Sequence, residues 1–356
     1  TLESGVSSIG NNAFGFTAVT SVVLPDTITS LSGNPFGGCP LESIEVLAEG
    51  ADIFFDEVTK TLYNADKNIL YYQTTVTTGA FVVPDTITSI LAGAFAGSHI
   101  TSITLPANFT RIEDGTFRNC TELKSITIGK NIAYIGASAF EGCTSLESIT
   151  FEQGGTQALT IGAKAFKDCT ALKSLTIPHR LRDGGEKITK TYYIEWIDDY
   201  MDETFVCGGP GIGESAFENT GIVTVDCEEE PAAGISDSAY HADTLSIADS
   251  AFRNCKNLTK VTLPSFMSNS GEFYNREDVI KLPDPFTDED KWSLEYKQYN
   301  YIGAYAFYGC EKLTTVTLPE QIGIMYDFGF SAASGAILGE HAFENCTALV
   351  NVGYVQ

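Results

Sequence analysis

Residues 135–151 read IGASAFEGCTSLESITF, and the segment recurs along the chain. Aligned on its Phe, the copies fall at Phe14, Phe36, Phe95, Phe117, Phe140, Phe166, Phe217, Phe252, Phe307 and Phe343. The shortest spacings are 22 residues (Phe14 to Phe36, Phe95 to Phe117), 23 (Phe117 to Phe140) and 26 (Phe140 to Phe166). A fixed period of roughly 20–29 residues signals a solenoid, which grows in one dimension by stacking equivalent coils. The unit reads I-G-x-x-A-F-x-G-C-x-x-L-x-x-I-x-I-P.

Each column has a physical reading. Leu172-Lys-Ser-Leu175-Thr-Ile177 ends in period-2 alternation, so it is a short strand with its apolar side chains inward. Pro178 then ends the strand, because it has no N–H to donate to a ladder; Pro25, Pro106, Pro264 and Pro319 match it. A second extended piece precedes the Phe, as in Thr86-Ile-Thr-Ser-Ile90, and Gly136–Phe140 between them reads as a turn of helix. The residue before the Phe is Ala in eight copies, which suits close approach of neighbouring coils. Two after the Phe stand Gly38, Gly97, Asn119, Gly142, Asp168, Asn219, Asn254, Gly309 and Asn345, the residue types that most easily turn left-handed and cap a helical turn. Phe16 alone breaks that series.

Three after the Phe stand Cys39, Cys120, Cys143, Cys169, Cys255, Cys310 and Cys346, with Thr17, Ser98 and Thr220 in the other copies. The repeats thus make the substitution themselves, and the column reads as a small buried position in which Cys acts as a small hydrophobe. A catalytic thiol would need a histidine, and His99, His179, His241 and His341 share no column. Zinc would need paired ligands at short intervals, and these cysteines lie one per coil. Disulfides between coils would need Cβ vectors that converge, whereas stacked equivalents run parallel. Cys227 takes the last inward position of its strand, and Cys207 stands alone.

Composition bounds the rest. The 356 residues carry a formal charge of −25, with only 21 Lys and Arg, which argues against a nucleic-acid partner. No run approaches the roughly 18 apolar residues that cross a bilayer. The chain begins at Thr1 without Met or a leader, as a mature or excised fragment would.

The repeated IGxxAFxxCxxLxxIxIP unit resembles the BspA-like class of leucine-rich repeats, over nearly the whole chain. The resemblance implies a right-handed superhelix on a secreted or cell-surface protein associated with adhesion to host proteins or other cells, and no enzyme. Its motif residues are structural, so no functional residue carries over. The expected fold is therefore an α/β repeat solenoid over residues 1–356, of about ten repeats, with short strands, short helical turns and inserted hairpins or loops. The insertions fall near 47–80, 179–210, 228–244, 265–300 and 320–336, after Val46, Pro178, Cys227, Pro264 and Pro319. Insertions at one repeat phase emerge along one edge.

The insertions differ in kind. Residues 53–83 carry apolar runs around Asn64–Asn68 and read as a hairpin extending the sheet. Residues 187–206 and 265–301 mix aromatics with acids, and hold both tryptophans. Tyr192, Tyr193, Trp196, Tyr200, Trp292, Tyr296 and Tyr299 are the binding candidates, since aromatics anchor interfaces. The competing reading is that they pack the insertions onto the solenoid.

Asp284, Asp288, Asp290 and Glu295 have part of a calcium-loop spacing, but Phe286 occupies a ligand position and Glu289 the turn glycine. Asp198, Asp199, Asp202 and Glu203 follow no loop pattern. Neither metal nor cofactor is expected. Of the sequons at Asn108, Asn119, Asn257 and Asn345, two are by-products of the Asn-Cys-Thr turn. The leading function is a monomeric adhesin-type binding protein for a protein or glycoprotein, with host extracellular matrix among the candidate ligands. A spacer projecting another domain and a carbohydrate-binding or degrading module are the alternatives; glycosidase work would need paired carboxylates roughly 5–10 Å apart.

Overall fold

The computed structural model describes residues 2, 5–28, 30–47, 53–155, 157–178, 181, 184–194, 199–209, 211–227, 245–263, 266–268, 272–273, 297–298, 302–318, 321–323 and 338–354. Within these, each repeat is one coil with a strand on either side. Strand Ser125–Ile128 pairs in parallel with Ser148–Phe151, register Ser125↔Ser148 through Ile128↔Phe151. Ile126 and Ile128 are buried while Ser125 and Thr127 face solvent, as period-2 alternation requires. Five more such strands, Ser174–Ile177, Thr224–Cys227, Lys260–Thr262, Thr315–Leu318 and Asn351–Tyr354, form one parallel sheet. Across the core, Arg111–Ile112, Tyr134–Ile135 and Thr160–Ile161 form a second ladder, continued by bridges Ile161↔Ile212, Ile212↔Ile247, Ile247↔Ile302 and Ile302↔Leu338.

The expected short helical turns are not formed; the described residues contain no helix. The reason is a second left-handed position that the sequence does not advertise. Ser138, two before Phe140, has φ 54°, and Gly142, two after, has φ 75°. Lys164, Ser215, Ser250, Tyr305 and His341 repeat the first position, at φ between 55° and 58°. Two left-handed residues four apart leave no run long enough for i→i−4 bonds. The backbone instead alternates its donors. Ala139, Glu141 and Cys143 donate back three residues, to Gly136, Ser138 and Phe140, while Ser138, Phe140 and Gly142 donate across to Ala163, Ala165 and Lys167 of the next coil. Phe16, the odd member of the cap column, also turns left-handed, with φ 58°.

This turn wall holds the phenylalanines in file. From Phe95 to Phe343 successive rings stack with centroids 5.0–5.3 Å apart. Burying each ring stabilises the fold by roughly 1.5–3 kcal/mol, and each ring pair by about 0.5–1.5 kcal/mol more. The Gly of the I-G pair has a steric cause: a Cβ at Gly136 would lie 2.5 Å from the backbone nitrogen of Asp114 in the preceding coil.

The file is interrupted once. Strands Ile53–Asp56, Thr61–Asn64 and Ile69–Gln73 form an antiparallel meander, and Asn64 closes its second turn by accepting the N–H groups of Asn68 and Ile69. A register shift at Tyr71 sets Leu62 opposite Tyr72 but Tyr63 opposite Leu70. A bulge of this kind points neighbouring pairs to opposite faces. Leu62 and Tyr72 pack into a smaller core with Phe36 and Ile44, whereas Tyr63 and Leu70 join the larger core that runs on to Cys346. The meander is thus a partition between two cores, with Tyr72 meeting Phe36 edge-on at 6.1 Å.

Candidate functional site

The thiol column is the first candidate to examine chemically. Each of its cysteines donates its Sγ–H to the carbonyl of the Phe one coil back: Cys120 to Phe95 at 3.0 Å, Cys143 to Phe117 at 3.1 Å, Cys169 to Phe140 at 3.2 Å, with Cys39, Cys255, Cys310 and Cys346 alike. Thr17 and Thr220 donate to Phe14 and Phe217 of their own coils, and Ser98 to Gln73 Oε1. The column is therefore a donor column, which explains why Ser and Thr replace Cys and Ala does not, where the sequence alone shows only a limit on size. Burial pushes the thiols of Cys120 and Cys169 well up and that of Cys143 to about 12, so none of these three is a nucleophile near neutrality. The seven cysteines of the column and Cys227 are free thiols, and the described residues hold no cluster of metal ligands.

An open depression enclosing about 10 Å³, room for about one water, lies beside Arg111 and Glu113, floored by Ile90, Ile112 and Phe117. Arg111 and Glu113 pair with each other at 2.6 Å. It is smaller than the roughly 300–1,000 Å³ of a small-molecule site.

Of the aromatic candidates, Tyr192 and Tyr193 lie on strand Gly184–Ile194 and Tyr200 on strand Asp199–Gly209. The two strands pair antiparallel over eleven residues each, with Tyr193 opposite Tyr200 and Tyr192 opposite Met201. The ribbon extends no other sheet among the described residues, and runs beside Glu272–Phe273. Trp196, Trp292, Tyr296 and Tyr299 lie outside the described residues, as do the acidic positions Asp284, Asp288, Asp290 and Glu295.

The turn wall carries a feature that the sequence reading passed over. The residue just after each Phe forms an outer column with pairs between adjacent coils. Arg118 meets Glu141 at 3.3 Å, and Lys167 meets Glu218 at 2.8 Å, a hydrogen bond that raises the lysine's pKa. In the next such pair the acid is missing: Arg253 faces Tyr308, its guanidinium 5.0 Å from that ring and 5.6 Å from Tyr305. Tyr305 stacks on His341 at 4.9 Å, and His341 pairs with Glu344. Tyr305 and His341 sit in the left-handed column, where a bulky side chain is strained. The available signal was an aromatic in a column otherwise filled by Asn, Ser, Lys or Gly. At the other end of the wall Phe16, 67 % exposed, lies over Gly38 and meets the Arg118 guanidinium at 5.4 Å.

With this geometry in view, the sequence profile of BspA-type leucine-rich repeat regions matches in 6 copies, over residues 1–58, 66–191, 232–277 and 290–354. The chain belongs to the BspA-type leucine-rich repeat family. A leucine-rich repeat protein of Eubacterium ventriosum ATCC 27560 superposes with a TM-score of 0.52 at 20% identity, over 97% of this chain and 63% of that one. This BspA-type chain therefore shares the leucine-rich-repeat solenoid and spans 63% of that relative's length. A leucine-rich cell surface protein of Faecalibacterium prausnitzii A2-165 aligns at 19% identity over 99% of this chain and 83% of that one, with a TM-score of 0.39. No curated protein matches the sequence. No helix among the described residues is long and apolar enough to cross a membrane.

Proposed function

We propose that this protein is a non-enzymatic, secreted or cell-surface binding protein of adhesin type, which takes a protein or glycoprotein through its solenoid surface and its insertions. The observation that carries the reading is the ribbon of Gly184–Ile194 and Asp199–Gly209, whose strands pair only with each other among the described residues. A two-stranded ribbon is marginal in water by itself, and its unpaired edges are a template for a further strand. Tyr192, Tyr193 and Tyr200 on its strands, with Trp196 between them in sequence, are the proposed anchors. Membership of the BspA-type family supports the same reading.

The test is a binding screen against extracellular-matrix proteins and glycans, comparing the intact chain with one lacking residues 187–206. Binding by the intact chain, lost in the deletion, is expected. Equal binding by both removes the ribbon from the site, and no binding by either favours a spacer.

A further inference from the structure

We propose that Arg253, Tyr305, Tyr308 and His341 form a subsite for an acidic sugar. The site lies on the turn wall and uses no residue of the ribbon, and so goes beyond the adhesin reading.

The argument begins with the missing carboxylate. Arg118 and Lys167 each find a Glu in the next coil, but the equivalent position opposite Arg253 is Tyr308. Arg253 makes no ion pair among the described residues, and its buried Nε–H, like that of Arg118, has no hydrogen-bond partner. A guanidinium 5.0 and 5.6 Å from two ring centroids keeps its charge, and its donor fork suits a carboxylate or sulfate. The surrounding groups extend the recognition. The hydroxyls of half-buried Tyr305 and Tyr308 and the imidazole of exposed His341 are hydrogen-bonding groups for hydroxyls beside the acid. Left-handed Tyr305 and His341, both at φ 57°, hold aromatics where the fold tolerates them only at a cost of order 1–3 kcal/mol each. The same left-handed turn recurs at Ser138, Lys164, Ser215 and Ser250, so what sets these coils apart is the aromatic side chains that the turn presents.

The charge of the whole protein selects the ligand. A net −25 repels polyanions, so the ligand is one that presents an isolated acid on an otherwise neutral, hydroxylated chain. An acidic terminal sugar of a glycan fits that description; an acidic peptide, with its charges in series, does not.

The experiment is calorimetric titration of the full chain with oligosaccharides ending in sialic or glucuronic acid, with the same oligosaccharides lacking the acid, and with inorganic sulfate. Binding of an acidic oligosaccharide, weakened by added salt, is expected, with little or none of the neutral forms. Arg253→Gln should weaken it at least about tenfold. Tyr308→Glu installs the carboxylate that sister coils carry, so it should weaken binding as much while the melting temperature holds. Binding of neither acidic oligosaccharide overturns the proposal. So does wild-type affinity in a folded Tyr308→Glu chain, or equal affinity for the neutral forms. Sulfate binding as tightly as the oligosaccharides would reduce the site to a simple anion contact and overturn the sugar assignment.

Discussion

The two cores on either side of the meander are built from the same repeat yet differ in regularity. In the larger, Phe140 and Phe166 stack at 5.0 Å with planes 1° apart, and the crossing backbone bonds of the turn wall repeat from coil to coil. In the smaller, Phe14 and Phe36 are 5.7 Å apart, the next ring is Tyr72 at 70°, and Phe16 lies outside over Gly38. Regular stacking follows from equal neighbours on both sides. The smaller core has a hairpin as one neighbour, so its rings settle into whatever geometry that hairpin permits.

The comparison can be broken at several places. Phe140→Ala opens a cavity in the middle of the stacked file and should cost about 3–5 kcal/mol. Hydrogen exchange should speed up throughout the larger core and stay unchanged in the smaller; equal loss in both would show that the meander does not partition them. Alkali should act on the same core. Burial pushes Cys120 and Cys169 up and holds Cys143 and Cys227 at about 12, against roughly 8.5 for an unfolded thiol. The folded state therefore keeps protons that the unfolded state loses. The stability that these four thiols contribute is complete below about pH 8.5 and falls as pH rises toward 12, by up to about 1.4 kcal/mol per pH unit for each thiol. Urea midpoints at pH 7, 9 and 10.5 measure that slope.

Two smaller effects sharpen the picture. Tyr72 donates its hydroxyl to the Cys39 carbonyl, and its own pKa is raised by burial. Tyr72→Phe should cost the smaller core about 1 kcal/mol and leave the larger one alone, as separate thermal transitions would report. Cys143→Ser keeps a donor to Phe117 and should change stability by less than about 0.5 kcal/mol, whereas Cys143→Val should lose roughly 0.5–1.5 kcal/mol. Equal effects of Ser and Val would return the column to a question of size.

The period, the inward Ile and Leu positions and the left-handed residue after each Phe were legible because each leaves a residue-type signature. The left-handed residue two before the Phe, present in every copy but that of Phe36, was not, since Ser138, Lys164 and Tyr305 carry no such mark, and Gly136–Phe140 accordingly read as helix. Cys, Ser and Thr shared a column visibly, but that they share a donated proton becomes apparent only beside the Phe carbonyl. The aromatics of residues 187–206 were conspicuous by number. Tyr308 mattered by what it replaced, and that shows only when Arg253 is seen beside the place where sister coils have a Glu.

The donors that cross between coils on the turn wall, such as those of Ser138, Phe140 and Gly142, all point the same way along the solenoid. Their peptide dipoles consequently add, with the N–H ends toward the later coils. The wall is an electrical rod whose positive pole lies on the side of His341, Phe343 and Asn345, next to Arg253. In a molecule of net charge −25, that pole offsets part of the repulsion an anion meets there.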